Sequence, residues 1–293
     1  MDQASKLRQM IQEKGGNSSA ARVIAVTSGK GGVGKTSLSV NLAIELADAG
    51  KKVVVFDADF GLANVEVMLG IRPKYNLLDV IHNQMTIDRI ITKGPGNIGF
   101  ISGGSGVAEL ATLDGSSIRL LISELSKLDS MYDVIIIDTG AGITDSVMEF
   151  VMMSPEVLLV VTPEPTSITD AYSLLKVLRR RENFNPLYKS ISVVANRVDS
   201  AKEGQEIYAK LNTVSSKYLN TKLNYLGSVA QDKNASLAII EQKPIIKAYP
   251  ASAASRDIIS IAHKMINDVQ VSYKERSGIA KVFVDFFRLR TKK

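Results

Sequence analysis

Apolar residues fall along this chain in short dense blocks, and the intervals between the blocks carry helical spacing. Near-continuous apolar runs occupy 22–27, 52–57, 132–138 and 190–195, and further runs end near Ser102, Thr162 and Ser228. Each has the length of a strand buried on both faces. Stretches at 116–128, 166–181 and 204–219 repeat their apolar residues with the period of a helix. Strands alternating with helices predict an α/β fold, a mainly parallel twisted sheet with helices on both faces.

The loop after the first strand carries the chemistry. Gly29-Lys30-Gly31-Gly32-Val33-Gly34-Lys35-Thr36 fits G-x-x-x-x-G-K-[ST], and Ser37 opens a helix directly behind it. Glycines let the backbone curl so that several N–H groups converge on phosphates, and the helix N-terminus adds positive potential. In such a P-loop NTPase, Lys35 reaches the β- and γ-phosphates and Thr36 ligates Mg²⁺. Lys30 is a second lysine that an ordinary P-loop does not need.

Carboxylates close three positions around this loop. The second strand ends in Asp57-Ala58-Asp59, followed by Phe60-Gly61-Leu62-Ala63-Asn64, and the run at 132–138 ends in Asp138-Thr139-Gly140-Ala141-Gly142. The C-terminal ends of parallel strands are where open sheets bind ligands. One such aspartate alone reads as a cap or turn residue; three behind a P-loop read as a metal and water site.

With its two lysines, the loop resembles the deviant Walker A family (KGGxGKT), the MinD and ParA ATPases that sandwich two nucleotides between two subunits. The resemblance implies ATP/ADP and Mg²⁺ as cofactors and a homodimer in which Lys30 crosses to the partner's ATP, much as an arginine finger does. It further implies that Thr36, Asp57 and Asp138 serve the metal and that Asp59 orients the attacking water. Asn196-Arg197, Val229 and Asp232 resemble the family's adenine-contacting loops, although Ala230 stands where a proline is usual. The residues alone leave GTP open.

Composition sharpens the ends of the chain. With no cysteine there is no disulfide, no thiol nucleophile and no thiolate metal site. His82 and His263 lie in separate helical stretches without an evident partner, and Arg179-Arg180-Arg181 reads as the solvated end of a helix. The N-terminus is charged and no run approaches the roughly twenty apolar residues of a membrane span, so a cytoplasmic protein is expected. The formal charge is +6, and seven of the last twenty residues are basic against Glu275 and Asp285 alone. On a helical wheel Ile279, Val282, Phe283, Phe286, Phe287 and Leu289 share one face and Lys281, Asp285, Arg288 and Lys292 oppose it. This pattern suits a helix lying on anionic membrane lipid, detached from the core by Gly278 and the charged stretch before it. A terminal helix packed on the domain is the bland alternative.

At the opposite end, Asp2-Gln3-Ala4 followed by Leu7-Arg8 precedes a Gly-Gly-Asn-Ser-Ser spacer. These residues match the DQAxxLR element of the FlhG group of flagellar MinD-type ATPases, in which it stimulates the GTPase of the SRP-like protein FlhF. The resemblance then covers essentially the whole chain: residues 1–21 an activator element and spacer, 22–272 the ATPase domain, 273–293 a membrane-targeting helix. It implies an FlhF-type GTPase and flagellar C-ring proteins as partners and control of flagellar placement and number. A ParA-like DNA-segregation ATPase is the second reading, and a metabolic P-loop ligase is the third.

Overall fold

A computed structural model describes residues 20–59, 64–104, 107–110, 113–181, 184–185, 189–267 and 278–290. The N-terminal element (Asp2, Gln3, Ala4, Leu7, Arg8) and residues 60–63 lie outside the described residues. The strands are β1 (Arg22–Ser28), β2 (Val53–Ala58), β3 (Thr92–Lys93), β4 (Gly99–Ser102), β5 (Val134–Ala141), β6 (Glu156–Val161), β7 (Ser190–Val198) and β8 (Asn224–Ala230). They form one sheet in the order β3-β4-β2-β5-β1-β6-β7-β8, parallel throughout except for the β3–β4 pair. The helices that carry the argument are α1 (Lys35–Asp48), α2 (Asn64–Leu69), α3 (Gly115–Leu125), α4 (Leu128–Met131), α5 (Asp145–Met153), α6 (Pro165–Arg180), α7 (Ala201–Leu219), α8 (Lys233–Ile240), α9 (Ala253–Asn267) and α10 (Gly278–Arg290).

The strand period of two divides the core. Ile24, Val26, Val55, Ile136, Leu158 and Val160 point to the face covered by α1 and α9. Their neighbours Val23, Val54, Phe56, Ile135 and Ile137 point to the other face, and Val157, Leu159 and Val161 continue that face under α6 and α7. Helices therefore cover both faces, as the alternation of blocks predicts.

For the tail, the alternative of a terminal helix packed on the domain is the one seen in this conformation. The C-terminal helix α10 is docked on the ATPase domain and is part of its core. Ile279, Val282, Phe283, Phe286 and Phe287 are buried, at most 5% exposed, against α3, α4, α5 and β1. Phe286 stacks on Phe150 of α5 with ring centroids 5.0 Å apart, and Phe283 meets Phe56 of β2 edge-on at 5.7 Å. An apolar groove built by Phe56, Phe150 and Leu121 takes up the face that the sequence offers to lipid. Each of the five side chains gains about 1.5–3 kcal/mol on burial as an upper bound, so docking wins over a solvated helix. Lys281 stays exposed, and the side chain of Leu289 lies outside the described part.

Smaller corrections concern charge. His82 pairs with Glu109 and His263 with Glu45. The arginine run is partly engaged: Arg179 Nε donates to the Leu219 carbonyl and Arg181 pairs with Asp145 at the start of α5. Among the described residues no helix is long and apolar enough to cross a membrane.

Candidate nucleotide-binding site

The site forms where the strand order reverses, beyond the C-terminal ends of β2, β5 and β1. Parallel register sets Asp57 of β2 opposite Asp138 of β5, and Asp138 opposite Val26 of β1. Three residues past Val26 the chain leaves β1 as the P-loop. Gly32 and Gly34 adopt left-handed φ values of 76° and 94°, which a β-carbon would strain. Gly29 has no room for one either, since its β-carbon would come within 2.1 Å of the Asp170 backbone in α6. The loop ends at the N-terminus of α1, so its amides and that helix end face one small volume.

Asp138 ties the loop to the sheet. Thr36 Oγ1 donates to Asp138 Oδ2 and Ser39 Oγ to Oδ1, each at 2.7 Å. Burial nevertheless pushes the Asp138 carboxyl up to about 6. Asp57 is pushed further, to about 8, first by burial and then by the neighbouring Asp138 charge. The Lys35 ammonium is held below its ordinary value by burial, against the pull of Asp138 and Asp59. These are buried groups short of counter-charge, a donor set that fits a nucleotide phosphate carrying a divalent cation. Among the described residues no cage of three or more carboxylate or histidine ligands stands ready. Mg²⁺ takes one or two carboxylates and fills its shell with water and phosphate oxygens.

Asp59 lies at the edge of the site. Its N–H donates to Asp57 Oδ1 at 3.0 Å, and its own Oδ2 accepts from Asn64 Nδ2 at 3.0 Å. Gly140, near the end of β5, comes so close that a β-carbon there would stand 2.9 Å from Asp59 Oδ1. Asp57, Asp59, Asp138, Lys35 and Thr36 are thus brought together as the sequence suggests.

Lys30 points elsewhere. Its Nζ donates to Glu164 Oε2 at 2.5 Å and to Thr166 Oγ1 at 2.9 Å, at the start of α6 in its own chain. Sequence reasoning passed over Glu164 and Thr166, although they follow the end of β6 and so had to lie on the ligand side of the sheet. Asn196 is also engaged locally, where its Nδ2 donates to the Val33 carbonyl at 2.7 Å and braces the P-loop. Beside it Arg197 holds a left-handed φ of 58°, a strained position for a non-glycine residue and one that occurs most often at functional sites. Asp232 acts as the N-cap of α8, accepting from Asn234 N–H and Ala254 N–H. Both oxygens are occupied by backbone, so the cap reading accounts for this residue as it stands; Val229 is buried near the end of β8. Lys189, absent from the sequence reading, inserts its ammonium among the carbonyls of Val151, Met152 and Ser154 and closes the C-terminal end of α5.

The raised Asp57 carboxyl has a consequence for stability. Its pKa lies above the unfolded value of 3.8, so between about pH 4 and 8 the metal-free folded state holds the extra proton. Stability from this group is complete below the unfolded pKa and is lost as pH rises through 8. Without Mg²⁺, Asp57→Asn should therefore melt several degrees above the wild type above pH 8, with the difference closing as pH approaches 4, and should gain little from Mg²⁺-nucleotide. Thermal melts in chelator across pH check this, and a difference independent of pH would count against it.

Residues 24–245 match the model of the CobQ/CobB/MinD/ParA nucleotide binding domain. The chain is 42% identical over 250 residues to the antiactivator FleN of Pseudomonas aeruginosa, covering 85% of this chain and 88% of that protein. It is 32% identical over 291 residues to the flagellum site-determining protein YlxH of Helicobacter pylori, covering 96% and 97%. Among solved structures, a chain of the MinC:MinD cell division protein complex of Aquifex aeolicus aligns with a TM-score of 0.64 at 27% identity, over 85% of this chain and 96% of that one. With the P-loop, its two lysines and the buried aspartates in place, the chain belongs to the MinD/ParA family of nucleotide-binding ATPases.

Proposed function

We propose that the protein is an ATP-operated, dimerising membrane switch that governs flagellar placement and number. The observation that carries this reading is the seat of α10: it rests on Phe56, the residue before Asp57, and on Phe150 of α5, the helix that follows the β5 loop. The nucleotide site and the tail groove share these two elements. MgATP, when bound, supplies the γ-phosphoryl group and the charge that the buried site lacks. Lys35 and the P-loop amides hold the phosphates, Thr36, Asp57 and Asp138 hold the metal's shell, and Asp59 positions the attacking water. Asp59 is a positioner more than a base, since an ordinary carboxylate is weakly basic.

Undocking is energetically accessible for a specific reason. The same apolar face is buried whether α10 lies in the groove or in lipid, so the exchange nearly conserves buried area. A nucleotide bias of a few kcal/mol then shifts the population. Two tails on one dimer gain avidity that a single tail lacks, and basic residues near anionic lipid add about 1 kcal/mol each. The flagellar assignment follows the similarity to FleN and YlxH along most of the chain. An FlhF-type GTPase, stimulated by residues 1–14, and C-ring proteins are the partners proposed. DNA segregation is the alternative, but phenylalanines add little to phosphate contacts.

Sedimentation with anionic vesicles in ATP, ADP and no nucleotide tests the switch. Wild type should sediment in ATP, lose binding at raised salt, and lose it on all lipids as Phe286→Glu; equal binding in all three nucleotide states, or salt-sensitive binding to DNA in place of vesicles, refutes the reading.

Mixing two variants tests the dimer. Lys30→Ala and Asp59→Ala should each be inactive, whereas their mixture should regain part of the ATPase rate. In the mixed dimer one site, on the Lys30→Ala subunit, has its own Asp59 and receives the partner's Lys30. A confirmed mixed dimer without activity removes the trans assignment.

For the N-terminal element, a peptide of residues 1–14 should raise the GTPase rate of an FlhF-type protein, with Gln3→Ala or Leu7→Asp silent. Stimulation that survives deletion of residues 1–14 from the full chain would exclude the assignment.

A further inference from the structure

A cavity of about 710 Å³ lies at the end of the sheet where β2, β4 and β5 begin, opposite the nucleotide site. Its size falls within the range of small-molecule sites. Helix α1 runs from the P-loop to its rim, and 14 residues at about 1.5 Å each put the two sites roughly 20 Å apart.

Main-chain bonds fix the residues that line it. Helix α1 ends in a Schellman turn: Gly50, at φ 86°, donates to the Ala47 carbonyl, and the Lys51 N–H reaches back to the Leu46 carbonyl. Lys52 is then tied to the start of β5. Its N–H donates to Asp133 Oδ2 at 2.8 Å, and its carbonyl accepts the Asp133 and Val134 N–H groups. On the other side, Asn97 holds a left-handed φ of 60° beside Gly96 at 68°, a strained arrangement of the kind that collects at functional sites. This turn is pressed onto α1, since a β-carbon on Gly96 would fall 2.9 Å from Ile44 Cγ2. Gly99 leaves room for the Tyr132 hydroxyl, which stands 2.5 Å from where its β-carbon would be.

The lining is chemically one-sided. Among the described residues, the Lys51 and Lys52 ammonium groups, the Asn97 side-chain amide and the Tyr132 hydroxyl have no hydrogen-bond or ion-pair partner. Burial pushes the Tyr132 hydroxyl up from its ordinary value, so it stays protonated as a donor. The acceptors at hand are already taken: Asp48 pairs with Lys247 at 2.7 Å, and Asp133 holds the Lys52 N–H. Ala47 and Met131 add an apolar wall, each half-buried against a core cluster. Two unpaired cations, further free donors and an apolar wall complement an anion carried on an organic body.

We propose that this cavity is a second ligand site, for a small organic phosphate of mononucleotide size, held by Lys51, Lys52 and Tyr132 and separate from the P-loop.

Amide NMR shifts of the full-length protein test this, with MgADP saturating the P-loop and AMP, glucose 6-phosphate or inorganic phosphate as the probe. AMP and glucose 6-phosphate should shift the Lys51, Lys52, Asn97 and Tyr132 amides, and inorganic phosphate should bind more weakly because it has no body to lay on Ala47 and Met131. Replacing both exposed lysines, Lys51→Ala with Lys52→Ala, should weaken AMP about tenfold or more, and Tyr132→Phe, which keeps the ring, about threefold. Lys247→Ala leaves every lining residue in place but frees the Asp48 charge, so it should also weaken AMP. The proposal is overturned if millimolar AMP leaves these amides unmoved, or if inorganic phosphate binds as tightly as AMP. Shifts that persist unchanged in the double lysine variant overturn it as well, since they report an adventitious ion only.

Discussion

The bonding of Asp138 is the constraint on which the rest of the site depends. Its carboxylate is fully buried in the central strand β5, and its two oxygens take the hydroxyls of Thr36 and Ser39 on α1. A buried charge of this kind is tolerable only if hydrogen-bonded, so the sheet dictates where α1 begins and hence where the P-loop must turn. Parallel register then sets Asp57 alongside, where burial and the Asp138 charge raise its proton affinity. The result is a site that is electrostatically incomplete by itself.

The same two strands connect this chemistry to the opposite side of the sheet. Strand alternation places Asp57 toward the nucleotide and its neighbour Phe56 into the groove under α10. Helix α5 repeats the arrangement: its first turn bonds Arg181 of the chain leaving α6, its middle offers Phe150 to the tail, and its end is closed by Lys189. Burial holds the Lys189 ammonium down to about 7, and three carbonyls from one helix terminus compensate for its transfer out of water. The helix is thus tied at both ends, with Phe150 between the two ties.

Much of the fold was legible because its determinants are local. Blocks of Val and Ile too short for helices marked the strands ending at Asp57, Ser102, Asp138, Thr162, Asn196 and Ser228, and all appear within a few residues. The helices at 116–128, 166–181 and 204–219 likewise appear, the last starting earlier because Ser200 caps it through the Glu203 N–H. The two-residue β3 escaped notice, since a pair of residues has no period to read. Lys30, Asp232 and the histidines were identified as residues but not by partner, because Glu164, Ala254, Glu109 and Glu45 are remote in sequence and were brought in by packing.

The tail shows where the division lies. Ile279, Val282, Phe283, Phe286 and Phe287 form one face in the sequence itself, because a helix has 3.6 residues per turn and nothing else needs to be known. That face had to leave water, and so much the sequence determined, together with the P-loop, its second lysine and the strand-end aspartates. Where the face goes was decided by tertiary structure alone. Phe56 and Phe150 lie far apart along the chain, and only the register of β2 and the placement of α5 make them one groove. Amphipathicity is a property of a segment, whereas the surface that receives it is a property of the assembled fold.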